Sequence, residues 1–154
     1  MVEIKTGNVF DTDAKYICHQ VNCKGKMASG VAKEVRTRYP EVYYEYMSTW
    51  MAAVEQRNPA SLLGYAQFVK VEPNRTIVNC FAQNNYGYDG GLYTDIKALK
   101  LALSTVAALA KQDNSKVAMP YKIGCVRGGA DWSVVEPMIE EIFKDVHCEL
   151  WKLD

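Results

Sequence analysis

The chain has 154 residues, enough for one domain with a substantial core, and its hydrophobic content of 49% and charged content of 23% are ordinary globular values. Eighteen Lys and Arg balance eighteen Asp and Glu, so the electrostatic footprint of a nucleic-acid or membrane-surface binder is missing and a small ligand is expected. Five cysteines without a Cys-x-x-Cys pair, beside two histidines, read as reduced core thiols, with no metal and no cofactor expected.

In chain order, Val2 to Lys5 has strand character, and Tyr16 to Val21 reads as a buried strand with Cys18 and His19 on opposite faces. Lys24, Gly25 and Lys26 break the pattern. Ala28, Ser29 and Gly30 then leave so little bulk that an anion can approach the main chain and the first N–H groups of the following helix. An ordinary strand-to-helix turn, with small residues that only permit close packing, is the competing reading. A helix over Ser29 to Arg38 stops before Pro40, and a second runs from Glu41 to Val54. Gly64 to Val71 and Thr76 to Ala82, joined by Glu72-Pro73-Asn74-Arg75, form a predicted antiparallel hairpin.

The loop Gln83 to Leu92, which holds Asn84 and Asp89, is too polar for core and too aromatic for mere spacer, and reads as a lid or ligand-contact loop. From Thr94 to Gln112 a helix sets Ile96, Leu99, Leu103, Val106 and Ala110 on one stripe against the sheet. Val117 to Met119 is a short strand followed by a second small-residue loop, Ile123 to Gly129. The last helix opens near Trp132 with Ser133 and Glu136 in capping-box spacing, Pro137 in its first turn and Asp131 at its start. Cys148 to Leu153 closes the chain as a strand. Interleaved strands and helices imply one domain over residues 1–154, a three-layer α/β/α sandwich on a six-stranded mixed sheet. Two small-residue loops at the carboxyl ends of strands in one sheet can hold a diphosphate between them. No segment is long and apolar enough for a signal peptide or a membrane span, and a cytoplasmic location is expected.

At Thr6-Gly7-Asn8-Val9-Phe10, at His19-Gln20-Val21-Asn22-Cys23 with Gly30-Val31-Ala32, and at Met119 to Gly128, the chain resembles the macro domains, which bind ADP-ribose. With Arg38-Tyr39-Pro40 the matching segments span Gly7 to Trp132. The resemblance is to the branch of yeast-type ADP-ribose 1''-phosphate phosphatases and glutamate-linked ADP-ribose hydrolases. It implies adenine at Asn8 and Val9, where most of the family has an aspartate in place of Asn8. It also implies a diphosphate held by main-chain groups of Ala28, Ser29, Gly30 and Val31 and of Gly124, Cys125, Val126 and Gly128, and a distal ribose at Asn22 beside His19 and Gln20. Arg127 either adds a cation over a phosphate or is a solvated loop residue, and Asn84 belongs to the ligand-contact loop.

For catalysis the resemblance suggests Asn22, with His19 as proton carrier and Asp89 as a helper. From the residues alone, His19 could equally be a hydrogen-bonded core histidine. The glutamate-linked branch uses a lysine and an aspartate whose positions here fall on Gln83 or Asn84 and on Gly128, so a Schiff-base mechanism cannot operate as it stands. The expected reaction is therefore hydrolysis of ADP-ribose 1''-phosphate. Removal of ADP-ribose from modified macromolecules and non-catalytic ADP-ribose reading are the alternatives. The expected partners are this small ligand and, in the alternatives, ADP-ribosylated macromolecules, without a membrane and without intrinsic nucleic-acid binding.

Overall fold

A computed structural model describes residues 1–28, 30–87, 89 and 91–153. Its strands are β1 (Val2–Thr6), β2 (Tyr16–Asn22), β3 (Ala66–Glu72), β4 (Arg75–Gln83), β5 (Val117–Pro120) and β6 (Cys148–Lys152). Its α-helices are α1 (Gly30–Arg38), α2 (Pro40–Glu55), α3 (Ile96–Asp113) and α4 (Trp132–Ile142), with short 3-10 turns at Val9–Asp11 and Pro59–Leu62. The sheet order is β1-β6-β5-β2-β4-β3. All neighbours run parallel except β3 and β4, the predicted hairpin, which closes through the pair Glu72 and Arg75.

Helices cover both faces, giving the expected three-layer sandwich. On one face α3 and α4 bury Leu99, Leu103, Val106 and Ile139 against Cys18, Cys80 and Leu150. On the other, Val35, Val42 and Tyr46 of α1 and α2 meet Ile17, Val21 and Phe81. The α3 stripe explains itself: Leu99, Leu103, Val106 and Ala110 recur at helical spacing and are fully buried, and each of the larger side chains contributes about 1.5–3 kcal/mol relative to exposure. β2 has a buried residue at nearly every position, as a central parallel strand covered on both faces must.

Three helix starts differ from the sequence reading; α2 begins at Pro40 rather than Glu41, since a proline is tolerated in the first turn. Thr94 lies outside α3, in an isolated antiparallel bridge with Gln83, and Asp95 caps the helix by accepting from the Ala98 N–H at 3.0 Å. Ser133 is not a cap. Asp131 Oδ1 accepts from both the Ser133 N–H (2.9 Å) and its hydroxyl (2.8 Å), because a carboxylate one residue before Trp132 reaches the free N–H groups first. The five cysteines are free thiols. Among the described residues no helix is long and apolar enough to cross a membrane.

Candidate functional site

The carboxyl ends of the parallel strands β2, β4, β5 and β6 are Asn22, Gln83, Pro120 and Lys152, and all of them line one cleft of about 690 Å³. This is the edge at which open α/β sheets bind ligands.

The first wall is the loop between β2 and α1. Asn22 Oδ1 accepts from the main-chain N–H groups of Lys24 (3.0 Å) and Lys26 (3.3 Å), and its Nδ2 donates to the Lys26 carbonyl at 3.0 Å. Tyr46 of α2 brings its hydroxyl to within 2.8 Å of the same Oδ1 and 2.7 Å of the Asn22 carbonyl. Trp50 donates from Nε1 to the Cys23 carbonyl at 2.8 Å. The Asn22 amide, which lines the cleft, is thus also the organiser of this loop.

The second wall is the loop after β5. Gln20 Nε2 donates to Gln83 Oε1 (2.8 Å) and Thr94 Oγ1 (2.7 Å), and Thr94 passes the contact on to the Gly124 carbonyl at 2.7 Å. The Gly128 carbonyl accepts from the N–H groups of Tyr93 and Thr94 at 2.7 and 2.9 Å. A Cβ on Gly128 would lie 2.9 Å from Gln20 Nε2 and inside the radius of Thr94 Oγ1, so only glycine allows this approach.

His19 forms part of the cleft lining and is almost fully buried. Its Nε2 lies 2.5 Å from Asn79 Oδ1, Asn79 Nδ2 donates to Gln67 Oε1 at 3.0 Å, and Gln67 Nε2 donates to the Glu45 carbonyl (3.1 Å) and Thr49 Oγ1 (2.8 Å). The Glu45 carbonyl can only accept, so it fixes the direction of every amide in the row, and His19 must donate from Nε2. Its Nδ1 is then a bare acceptor, and among the described residues it has no partner. Burial pushes the His19 pKa down to about 4, against a smaller upward effect of the Asn79 bond. The ring is neutral at pH 7, so a proton-carrying role starts from the bare Nδ1 acceptor and not from a charged ring.

At the far end of the cleft, Asn8 Oδ1 accepts from the Phe10 N–H at 2.9 Å, which caps the 3-10 turn, while Nδ2 donates to Glu34 Oε2 at 3.1 Å. Asn8, Val9, His19, Gln20, Asn22, Ala28, Gly30, Val31, Gly124, Val126, Arg127 and Gly128 all line the cleft; Ser29 lies outside the described residues.

Asn84, Asp89 and Cys125 are not among the lining residues. Asp89 is exposed and turned to its own loop, where the Gly91 N–H and the Tyr93 hydroxyl hold its carboxyl below the usual range. As the expected catalytic helper it is therefore misplaced. The Cys125 thiol is pushed up by burial, with Asp131 adding to the effect, and stays protonated. Tyr86, in the loop read as a lid or ligand-contact segment, does line the cleft, whereas sequence reasoning missed Glu34, Lys26, Lys122 and Trp151, which also line it. The pattern around Glu34 is that of any solvated helix face, so no local signal marks it.

One group of potential metal ligands exists among the described residues, Glu3, His147 and Glu149, none of which lines the cleft. Lys5 and Lys116 stand 3.7 and 4.0 Å from Glu149 Oε2 and already supply positive charge there.

No protein-family model matches the sequence. The chain is similar to the DNA ADP-ribosyl glycohydrolase of Mycobacterium tuberculosis, with 22% identity over 147 residues, 95% of this chain; it spans 40% of the length of that curated relative. Among solved structures it is similar to the macrodomain of Mycobacterium tuberculosis DarG, with a TM-score of 0.81 at 22% identity, covering 98% of this chain and 97% of the other. It is also similar to Thermosipho africanus DarTG in complex with ADP-ribose, with a TM-score of 0.74 at 18% identity, over 96% of this chain and 41% of that one.

Proposed function

From the macrodomain fold of this chain we infer that the cleft binds ADP-ribose and that the chain hydrolyses a bond at C1'' of the distal ribose. The observation that carries the reading is the cleft's make-up. Small residues of two loops face each other across it, and Lys26, Lys122, Arg127 and Lys152 are among the lining residues with the carboxylate of Glu34. Exposed main-chain donors in a cationic surround suit a diphosphate. The base then lies toward Asn8 and Val9, and the diphosphate between Ala28, Gly30 and Val31 on one side and Gly124, Val126, Arg127 and Gly128 on the other. The distal ribose lies toward Asn22. The likeness to the Thermosipho protein in complex with ADP-ribose supports the ligand, and the likeness to the mycobacterial glycohydrolase supports the reaction class.

Water is the nucleophile in this reading, since the position of the glutamate-linked branch's lysine falls on Gln83 or Asn84 and the Cys125 thiol is protonated. Its hydroxyl goes to the ribose and its proton to the departing group. The departing group we favour is a modified macromolecule, by likeness to the mycobacterial relative. The second reading, hydrolysis of ADP-ribose 1''-phosphate, draws on the similarity of His19-Gln20-Val21-Asn22-Cys23 to the phosphatase branch.

Incubation with ADP-ribosylated DNA, with glutamate-ADP-ribosylated protein and with ADP-ribose 1''-phosphate, following free ADP-ribose and inorganic phosphate, separates the readings. Release of ADP-ribose from DNA or protein is the expected result, and phosphate release alone would establish the second. Binding without turnover would leave a reader domain. A folded sample that fails to bind free ADP-ribose in millimolar calorimetry would overturn the site itself.

A further inference from the structure

The end of the cleft at Asn8 carries an acceptor that does not belong to Asn8. The Asn8 carboxamide is engaged on both sides, Oδ1 accepting from the Phe10 N–H and Nδ2 donating to Glu34 Oε2, so the one lone pair left on Oδ1 is a neutral acceptor beside a charged and stronger one on Glu34. Glu34, on α1, lines the cleft and keeps about a third of its side chain exposed, 37%. Its Oε2 takes the Asn8 amide at 3.1 Å and both Nε and Nη2 of Arg38 at 2.9 Å. Arg38 is braced in turn over the Phe10 ring, 4.6 Å from its centroid. The other carboxylate oxygen, Glu34 Oε1, accepts nothing from the described residues. A carboxylate held from two directions on a cleft-lining residue, with one oxygen left without a donor among the described residues, is a preorganised acceptor for a ligand N–H.

The neighbouring main chain supplies the matching donor. Val9 is the first residue of the 3-10 turn, so its N–H has no partner within the turn, and Val9 lines the same end of the cleft. An open acceptor beside an open donor is complementary to the edge of a 6-aminopurine, which offers an exocyclic N–H and a ring nitrogen lone pair. A 6-oxopurine presents the reverse, an oxygen acceptor and a ring N–H, and would leave polar groups opposed on both contacts.

We propose that Glu34, and not Asn8, reads the amine of the bound base, so that the cleft selects a 6-aminopurine nucleotide over its 6-oxo counterpart, with Asn8 and Arg38 as the residues that position Glu34. This inference rests on the ADP-ribose reading of the cleft. It assigns the selectivity of that site to a residue on α1, distant in sequence from the turn that the base was expected to meet.

The test is calorimetric titration of the intact chain, and of Glu34→Ala, Glu34→Gln and Asn8→Ala, with ADP-ribose and with its hypoxanthine counterpart. Thermal melting of each variant is followed alongside. The unaltered protein should prefer ADP-ribose by roughly tenfold or more. Glu34→Ala should erase most of that preference. Glu34→Gln should narrow it, because the carboxamide can turn its N–H2 toward a 6-oxo group, and Asn8→Ala should retain more of it than Glu34→Ala does. A preference unchanged in both Glu34 variants would overturn the inference even if their melting temperatures fall, since that pattern belongs to a bracing ion pair. Equal binding of the two nucleotides by the unaltered protein would overturn it too, while leaving the cleft reading intact. Binding of neither would overturn the cleft reading and this inference together.

Discussion

The loop after β2 and the loop after β5 face each other across the cleft, and they are held by opposite means. The first is tied from beneath by side chains: the Asn22 amide, the Tyr46 hydroxyl and the Trp50 indole all reach its main chain. The second has one side-chain tie, the Thr94 hydroxyl on the Gly124 carbonyl, and depends mainly on close backbone approach, with glycines at 124 and 128 letting carbonyls reach Thr94 and the chain before α3. Side-chain ties can be trimmed one bond at a time. A backbone approach admits no intermediate, because any added carbon must displace what it meets.

The sharpest way to break this contrast is Gly128→Ala. Its methyl group would meet Thr94, the Gly124 carbonyl and Gln20 at once, and the expected loss is about 3 kcal/mol of stability in chemical denaturation, with ADP-ribose binding lost as well. If the variant is as stable as the parent, the second loop is not packed as described.

The floor between the two loops carries a pH signature of similar size. The buried His19 stays neutral down to about pH 4, whereas in the unfolded chain it takes up a proton near pH 6.5. Between those values the unfolded state binds the extra proton, so stability falls as pH falls, by roughly 3 kcal/mol over the window. Denaturation curves from pH 7 to 4 should show this slope, and His19→Gln should flatten it; a slope that survives the substitution would place the titration elsewhere.

The side-chain ties should yield in smaller steps. Asn22→Ala removes the bonds to Lys24 and Lys26 and is expected to cost about 2 kcal/mol while weakening ADP-ribose binding. Weaker binding with unchanged stability would instead make Asn22 a purely ligand-directed group. Tyr46→Phe keeps the packing on Phe81 and should cost about 1 kcal/mol. A similarly small loss is expected from Gly30→Ala. Its methyl would meet nothing within 4 Å, leaving only the left-handed φ of 62° to disfavour it, a cost of about 1 kcal/mol that thermal melting can resolve.

What was legible in the sequence was whatever repeats at a fixed spacing or stops a repeat. The α3 stripe, the apolar run of β2, the hairpin around Pro73 and the two small-residue loops all belong to that class, and each lies within one or two residues of its expected bounds. What was hidden depends on partners brought together only by folding. Thr94 reads as helix because nothing local reveals that Gln83 pairs with it. Glu34 reads as a solvated face because Asn8 lies 26 positions away. Asn22 was singled out for the ligand, but its ties run to Tyr46 on a helix further along the chain. Gln67 and Asn79 did leave a trace, as amides inside otherwise apolar strands, and buried amides of that kind are seldom without partners.

The row from His19 through Asn79 to Gln67 has a consequence for how the sheet finds its alignment. These residues sit on facing rungs of β2, β4 and β3. The apolar neighbours Val69, Ile77 and Ile17 could tolerate a slip of two residues, since that returns each side chain to the same face. The polar row could not, because a slipped strand would bury an amide against aliphatic carbon with no partner. Replacing both Asn79 and Gln67 with leucine should therefore leave a chain that still collapses but with a blurred strand alignment, visible as broadened amide resonances in β3 while helical content persists. A well-ordered spectrum for that double variant would show that the aliphatic residues alone set the strand order and its phase.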